Sequence, residues 1–103
     1  MGVTAQLDGE GQNLTIRVAG RFDTDSHLAF RQAYENHPSN LHYVVDLSGV
    51  EELDSSALGL LLLLREHAGG DQGRVSLRGA TRPVRDILEL SRFERLFEMD
   101  QAD

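Results

Sequence analysis

Leu14, Ile16 and Val18 alternate with Thr15, Arg17 and Ala19, the period-two pattern of a strand with one buried face, and the run ends at Gly20. A shorter run, Val3 to Leu7, precedes it across the Gly- and Asp-rich link Asp8–Asn13, which predicts a hairpin. Past Asp23-Thr24-Asp25-Ser26, where Asp25 or Ser26 can cap a helix, Leu28, Ala29, Phe30, Ala33 and Tyr34 fall at helical spacing until His37-Pro38 stops the run. Leu41–Leu47 is mostly apolar, of strand length, and reads as a central strand buried on both faces, with Asp46 its one charge.

Residues 48–55 then read as the loop leaving that strand, followed by a helix over Ala57–Ala68 with Gly69-Gly70 as its C-terminal stop. Val75–Leu77 is a short strand between Gly73 and Gly79. Thr81 and Pro83 announce a further helix with Val84, Ile87 and Leu88 on one face. Phe93, Leu96, Phe97 and Met99 are expected to form one more short helix. The order β-β-α-β-α-β-α-α predicts an α/β fold: a four-stranded mixed, mostly parallel sheet with about four helices and right-handed crossovers.

Length and composition narrow this picture. The 103 residues suit a single domain over 1–103, with 40% apolar and 26% charged residues near globular averages. The longest apolar run, Ala57–Leu64, is far short of the ~20 residues that span a bilayer. The N-terminus carries no basic-then-apolar leader pattern, and a cytoplasmic location is expected. The absence of cysteine excludes a disulfide framework, a thiolate metal site and a cysteine nucleophile. The four histidines have no H-x-x-x-H spacing, so no metal site is expected.

A net charge of −7 argues against a nucleic-acid partner, which calls for a basic face. The charge is uneven: residues 74–95 hold six Arg against three acids, while residues 1–73 hold four Arg against eleven. That segment is either ordinary solvated surface or a locally basic face for an acidic partner.

The chemistry concentrates in Leu53-Asp54-Ser55-Ser56-Ala57-Leu58-Gly59, at the C-terminal edge of the central strand, where open α/β sheets usually meet their ligands. Asp54 or Ser55 stands where the helix N-cap belongs. Leu58 and Leu60 to Leu64 surround the helix, so one sheet-facing stripe cannot absorb them all. The remainder is either covered by the C-terminal helices or exposed to a partner.

This stretch, after Val44-Val45-Asp46-Leu47, resembles the D-S-[ST]-[GA]-L-G signature of STAS domains, specifically bacterial anti-sigma factor antagonists. Gly20-Arg21-Phe22-Asp23 is similar to that family's Gly-x-apolar-Asp turn, and Pro83–Phe93 to its late helix and following turn. The resemblance implies that Ser55 is the phosphorylated serine, with Ser56 the next hydroxyl and Asp23 the acid beside the site. It further implies that the unmodified chain binds an anti-sigma factor and frees a sigma factor, through Asp23, Asp54, Ser56, Ala57, Leu58, Gly59 and Leu62. A cognate serine kinase and a phosphatase would set the state of Ser55, and the chain itself would carry no cofactor and no catalytic residue. Arg21 departs from the family, which commonly has an acid there, and this bears on partner choice; Ala57 stands where Gly is frequent.

At finer grain, Ser55–Gly70 is similar to antagonists of pseudomonads that act downstream of a histidine phosphotransfer protein in flagellar and biofilm control. There, one response regulator carries both kinase and phosphatase activities. Two other readings remain. One is a STAS subunit docking on a transporter ATPase without a phospho-switch. The other is a serine hydrolase using Ser55 with His27, His37, His42 or His67, for which no motif places the base.

Overall fold

The computed structural model describes residues 2–100. In them β1 (Gly2–Leu7), β2 (Asn13–Phe22), β3 (His42–Leu53), β4 (Arg74–Arg78) and β5 (Glu98–Met99) form one sheet in the order β1-β2-β3-β4-β5. β1 pairs antiparallel with β2; every later pair is parallel. The helices are α1 (His27–Tyr34), α2 (Ser55–His67) and α3 (Arg82–Leu90), and single 3-10 turns occupy Thr24–Ser26, Gly70–Gln72 and Phe93–Arg95.

Each β-α-β crossover steps one strand further in the same direction. Right-handed connections therefore put α1, α2 and α3 on one face and leave the other face without a helix. Burial follows that geometry. On the helix side Leu14, Ile16, Val18, Tyr43, Val45, Leu47, Val75 and Leu77 are buried, and fully burying one such leucine contributes about 1.5–3 kcal/mol. Phe22, Phe30, Tyr34 and Tyr43 run through this core with successive ring centroids 5.1, 5.8 and 6.5 Å apart. His67 packs on Tyr34 and bonds the His37 carbonyl at 2.7 Å, so this histidine is part of the framework.

Three expectations need correction. β3 does not stop at Leu47 but runs to Leu53, because two extra residues on it are accommodated as irregularities against β2, between Arg17 and Ala19 and between Gly20 and Arg21. At the first of these, a Cβ on Gly49 would lie 3.2 Å from that of Ala19, so glycine permits the close approach of the strands. β3 is also not buried on both faces: His42 and Asp46 are half-exposed, and only Val44 on that side is covered. Finally, Phe93–Met99 is not a helix. It makes a single turn at Phe93–Arg95, with Phe93 and Phe97 buried, and then Glu98–Met99 joins β4 as a fifth strand.

The helix-free face carries a closed polar chain near the N-terminal ends of the parallel strands. The Asn13 amide donates Nδ2–H to Asp8 (2.6 Å), which turns its oxygen to accept from His42 Nδ1 at 2.8 Å. His42 Nε2 lies 2.7 Å from Ser76 Oγ, Ser76 Oγ lies 3.2 Å from Glu98, and Glu98 takes two bonds from Arg74 at 2.7 and 3.2 Å. Burial and then the nearby Arg74 hold the His42 imidazole below its ordinary pKa, Glu98 acting in the opposite sense and Arg78 with Arg74.

Candidate functional site

The C-terminal ends of β2 and β3 lie side by side, Phe22 opposite Leu53, and the Asp54 N–H donates to the Phe22 carbonyl at 3.3 Å. This pairing brings the two turns that follow the strands together. After β2, Asp23 caps the turn Thr24–Ser26 in a reciprocal box. Its carboxylate accepts from the Asp25 N–H at 3.0 Å, while the Ser26 hydroxyl accepts from the Asp23 N–H at 3.1 Å and donates to the Arg21 carbonyl at 3.2 Å. Ser26 is fully buried, so the Asp23 turn is fixed from beneath.

After β3, Asp54 is the N-cap of α2: its Oδ1 accepts from the N–H groups of Ser56 and Ala57 at 2.9 and 3.2 Å. Ser55 is therefore the first helical residue. It is exposed, and among the described residues its hydroxyl has no hydrogen-bond partner. Ser56 differs: it is half-buried, and its Oγ accepts from Thr24 Oγ1 at 2.7 Å. One hydroxyl is committed to joining the two turns; its neighbour is uncommitted.

The leucines behind the serines divide by face. Leu60, Leu61 and Leu64 are buried against the sheet, Leu58 is half-buried, and Leu62 and Leu63 are 39% and 52% exposed. Ala57, expected among the contact residues, is fully buried and packs inside the first turn of α2. Gly59 is exposed, and a Cβ there would meet nothing within 4 Å, so no packing constraint demands glycine at that position. The helix closes at Gly69, whose φ of +106° makes the left-handed stop that glycine favours.

Beside the serine turn lies a cavity of about 350 Å³ between the end of β3 and the start of α3. Phe22, Leu53, Pro83, Val84 and Ile87 supply apolar lining, and Asp23, Glu51, Glu52 and Asp54 an acidic rim. Arg21 answers part of that charge through Glu52 at 3.0 Å, both side chains being well exposed. Thr24 and the α3 residues of this cavity were not anticipated from the sequence. The Asp-Thr-Asp-Ser run pointed to a cap without indicating that Thr24 reaches Ser56 across the two turns.

The structure thus gathers Asp23, Asp54, Ser55 and Ser56 at one edge, with Leu58, Gly59 and Leu62 continuing outward along α2. The four histidines form no common site with Ser55, and among the described residues no three His, Cys, Asp or Glu side chains converge as metal ligands. No described helix is long and apolar enough to cross a membrane.

Comparison with known proteins places this edge in a family. Residues 5–98 match the family model described as Mlab, STAS domain. The chain is 50% identical over 100 residues to the STAS-domain containing protein PA14_20770 of Pseudomonas aeruginosa strain UCBPP-PA14, covering 96% of this chain and 99% of that one. Among solved structures, an anti-sigma factor antagonist from Mycobacterium paratuberculosis superposes with a TM-score of 0.78 at 23% identity, covering 98% of this chain and 87% of that one. The phosphorylated form of the Bacillus cell fate determinant SpoIIAA does so with a TM-score of 0.73 at 16% identity, covering 97% and 92%. The family match over nearly the whole chain, the close Pseudomonas relative and the shared fold establish that this chain belongs to the STAS-domain family.

Proposed function

We propose that this chain is a phosphorylation-switched anti-sigma factor antagonist. The unmodified form binds an anti-sigma factor and so releases a sigma factor; phosphate on Ser55 disrupts that complex or redirects the chain to another partner. One observation carries the reading: Ser55 stands exposed at the first position of a helix that Asp54 already caps, so its hydroxyl has no structural task. The structural neighbours support it: the mycobacterial protein and SpoIIAA are both named anti-sigma factor antagonists, and SpoIIAA is known in unphosphorylated and phosphorylated forms.

A phosphoserine carries about −1.5 to −2 charge near neutral pH. At the start of α2 the helix dipole and free N–H groups favour that charge by ~0.3–1 kcal/mol, so the fold absorbs it. The rim of Glu51, Glu52 and Asp54 becomes more negative, and the docking surface from Asp23 to Leu62 changes in charge and bulk. A coupling of ~3 kcal/mol between phosphate and partner lowers affinity roughly 150-fold.

The kinase supplies ATP and Mg²⁺, a phosphatase reverses the step, and this chain contributes the acceptor. Within this reading both activities reside in one response regulator, downstream of a histidine phosphotransfer protein, with output to flagellar and biofilm control. The 50% identical STAS-domain relative is a pseudomonad protein, from the same group of bacteria as the antagonists that this reading takes as its pattern.

Affinity for the anti-sigma factors of the host, measured by titration calorimetry for wild type, Ser55→Ala and Ser55→Asp, tests the switch. Tight binding by the first two and loss of roughly 150-fold in the third is expected. Equal affinity in all three, or recovery of a transporter ATPase as the bound partner, overturns it.

A further inference from the structure

The outer edge of β1 is unusual among the surfaces of this chain. β1 is the first strand of the sheet and, among the described residues, pairs only with β2, so its other side offers backbone N–H and C=O groups that no described strand takes up. Exposed edges are normally guarded by a charge, a proline, a bulge or shortness. Gly2-Val3-Thr4-Ala5-Gln6-Leu7 has none of these: it is six residues long, uncharged, without proline, and in unbroken register with β2. In a chain of net charge −7 this is a neutral strip. Its two sides also differ. Val3, Ala5 and Leu7 pair with Val18, Ile16 and Leu14 on the helix side, yet Ala5 and Leu7 are exposed, Leu7 by 43%. Thr4 and Gln6 lie on the polar, helix-free side with Arg17 and Thr15.

We propose that the β1 edge is a self-association surface on which a second copy of the chain adds its own β1, antiparallel, forming one continuous ten-stranded sheet. Antiparallel neighbours directly opposite each other point to the same face, so a two-fold axis that keeps both helix layers on one side must pair odd positions with odd ones. Centring the axis on Ala5 satisfies this and sets Val3 of one protomer opposite Leu7 of the other. The exposed apolar strip is then covered by its own copy, while Thr4 faces Gln6 on the polar side.

The opposite edge explains why the occupant is a second copy in a closed pair and not a growing filament. β5 is two residues long, one of them the charged Glu98, and Asp100 follows it directly, so the edge is guarded by shortness and by charge. Head-to-tail pairing of β1 with β5 is thereby blocked, and the symmetric contact closes on itself. A contact limited to one strand pair is small, so dimerisation is concentration-dependent.

The lack of cysteine makes a direct test possible. Centring on Ala5 brings the two Ala5 Cα atoms to about 4.5–5.5 Å, inside the range a disulfide spans, whereas other positions face a different residue. Under mild oxidation Ala5→Cys is expected to cross-link to a covalent dimer several-fold faster than Thr4→Cys or than Leu90→Cys, an exposed control on α3. Equal rates for the three, or fastest cross-linking by Thr4→Cys, overturn the proposal. Sedimentation of the wild-type chain should rise from one protomer mass toward two with concentration; a constant protomer mass overturns it too. Ala5→Lys and Ala5→Glu should each sediment as monomers, yet recover the dimer when mixed. Failure of the mixture to pair, with both variants folded by circular dichroism, also counts against the edge.

Discussion

The two ends of the parallel strands use polar residues in opposite ways. At the N-terminal end, Asn13, His42, Ser76 and Glu98 bond one another across four strands, with Asp8 and Arg74 closing the two termini. At the C-terminal end, carboxylates crowd an apolar cavity, and Ser55 carries a hydroxyl that no described residue bonds. Among the described residues no buried side-chain polar atom lacks a partner, so the fold satisfies such groups wherever burial makes it necessary. A satisfied polar chain locks strands together. Uncommitted hydroxyl and exposed carboxylates at a rigid helix mouth are instead what a partner or a modifying enzyme can reach.

The largest effect should come from breaking the closed end. His42→Leu takes the partner from Asn13 Oδ1 and one partner from Ser76, and is expected to cost about 1–3 kcal/mol in urea unfolding, with anti-sigma factor binding unchanged. Acid should reveal the same residue. The imidazole's pKa in the folded chain lies below the ordinary value, so as the pH falls through about 6.5 the unfolded chain takes up its proton first and stability declines. The decline ends once the pH has passed the folded pKa. Unfolding series from about pH 7.5 to about pH 5 should show this slope in the wild type and a shallower one in His42→Leu. An unchanged slope would mean that His42 does not govern it.

A smaller effect is expected at the open end, and it should touch both properties. Asp54→Ala removes the acceptor of the Ser56 and Ala57 N–H groups and should lower stability by about 1 kcal/mol, with weakened docking. Asp54→Asn caps nearly as well and should recover most of the stability. If docking stays weak in Asp54→Asn, the partner reads the charge; if it recovers, the partner reads the ordered turn. Thermal melts beside calorimetric titrations separate the two.

How much of this was legible from residue order follows from the forces involved. Local patterns located the hairpin, the three α-helices and the strand at Val75–Leu77, because alternation and 3.6-residue spacing are written in adjacent residues. The extension of β3 to Leu53 was not, since Ser48-Gly49 and Glu51-Glu52 read as loop and are drawn into the ladder only by β2 alongside. β5 was missed for a related reason: two residues carry no period, and Glu98-Met99 becomes a strand only beside Ser76 and Leu77. At the site both Asp54 and Ser55 suit the cap by residue type, and only the bonds from the Ser56 and Ala57 N–H groups to the Asp54 carboxylate distinguish them. The polar chain around His42 had no sequence signal, because its members come from residues as far apart as Asp8 and Glu98.

The finest distinction lies between two adjacent hydroxyls, and it sharpens the contrast between bonded and free polar groups. Ser56→Ala removes the acceptor of Thr24 Oγ1 and loosens the tie between the turn after β2 and the start of α2, a loss of about 0.5–1.5 kcal/mol. Ser55→Ala removes a group that bonds to none of the described residues, and alanine is the better helix former, so stability should stay within about 0.5 kcal/mol of wild type. Paired thermal melts and intact-mass measurements after incubation with kinase then report opposite outcomes. Ser56→Ala should be less stable yet still gain one phosphate, and Ser55→Ala should melt like the wild type and gain none. If the phosphate instead follows Ser56, the bonded hydroxyl is the acceptor, and modification must first break the Thr24 contact that joins the two turns.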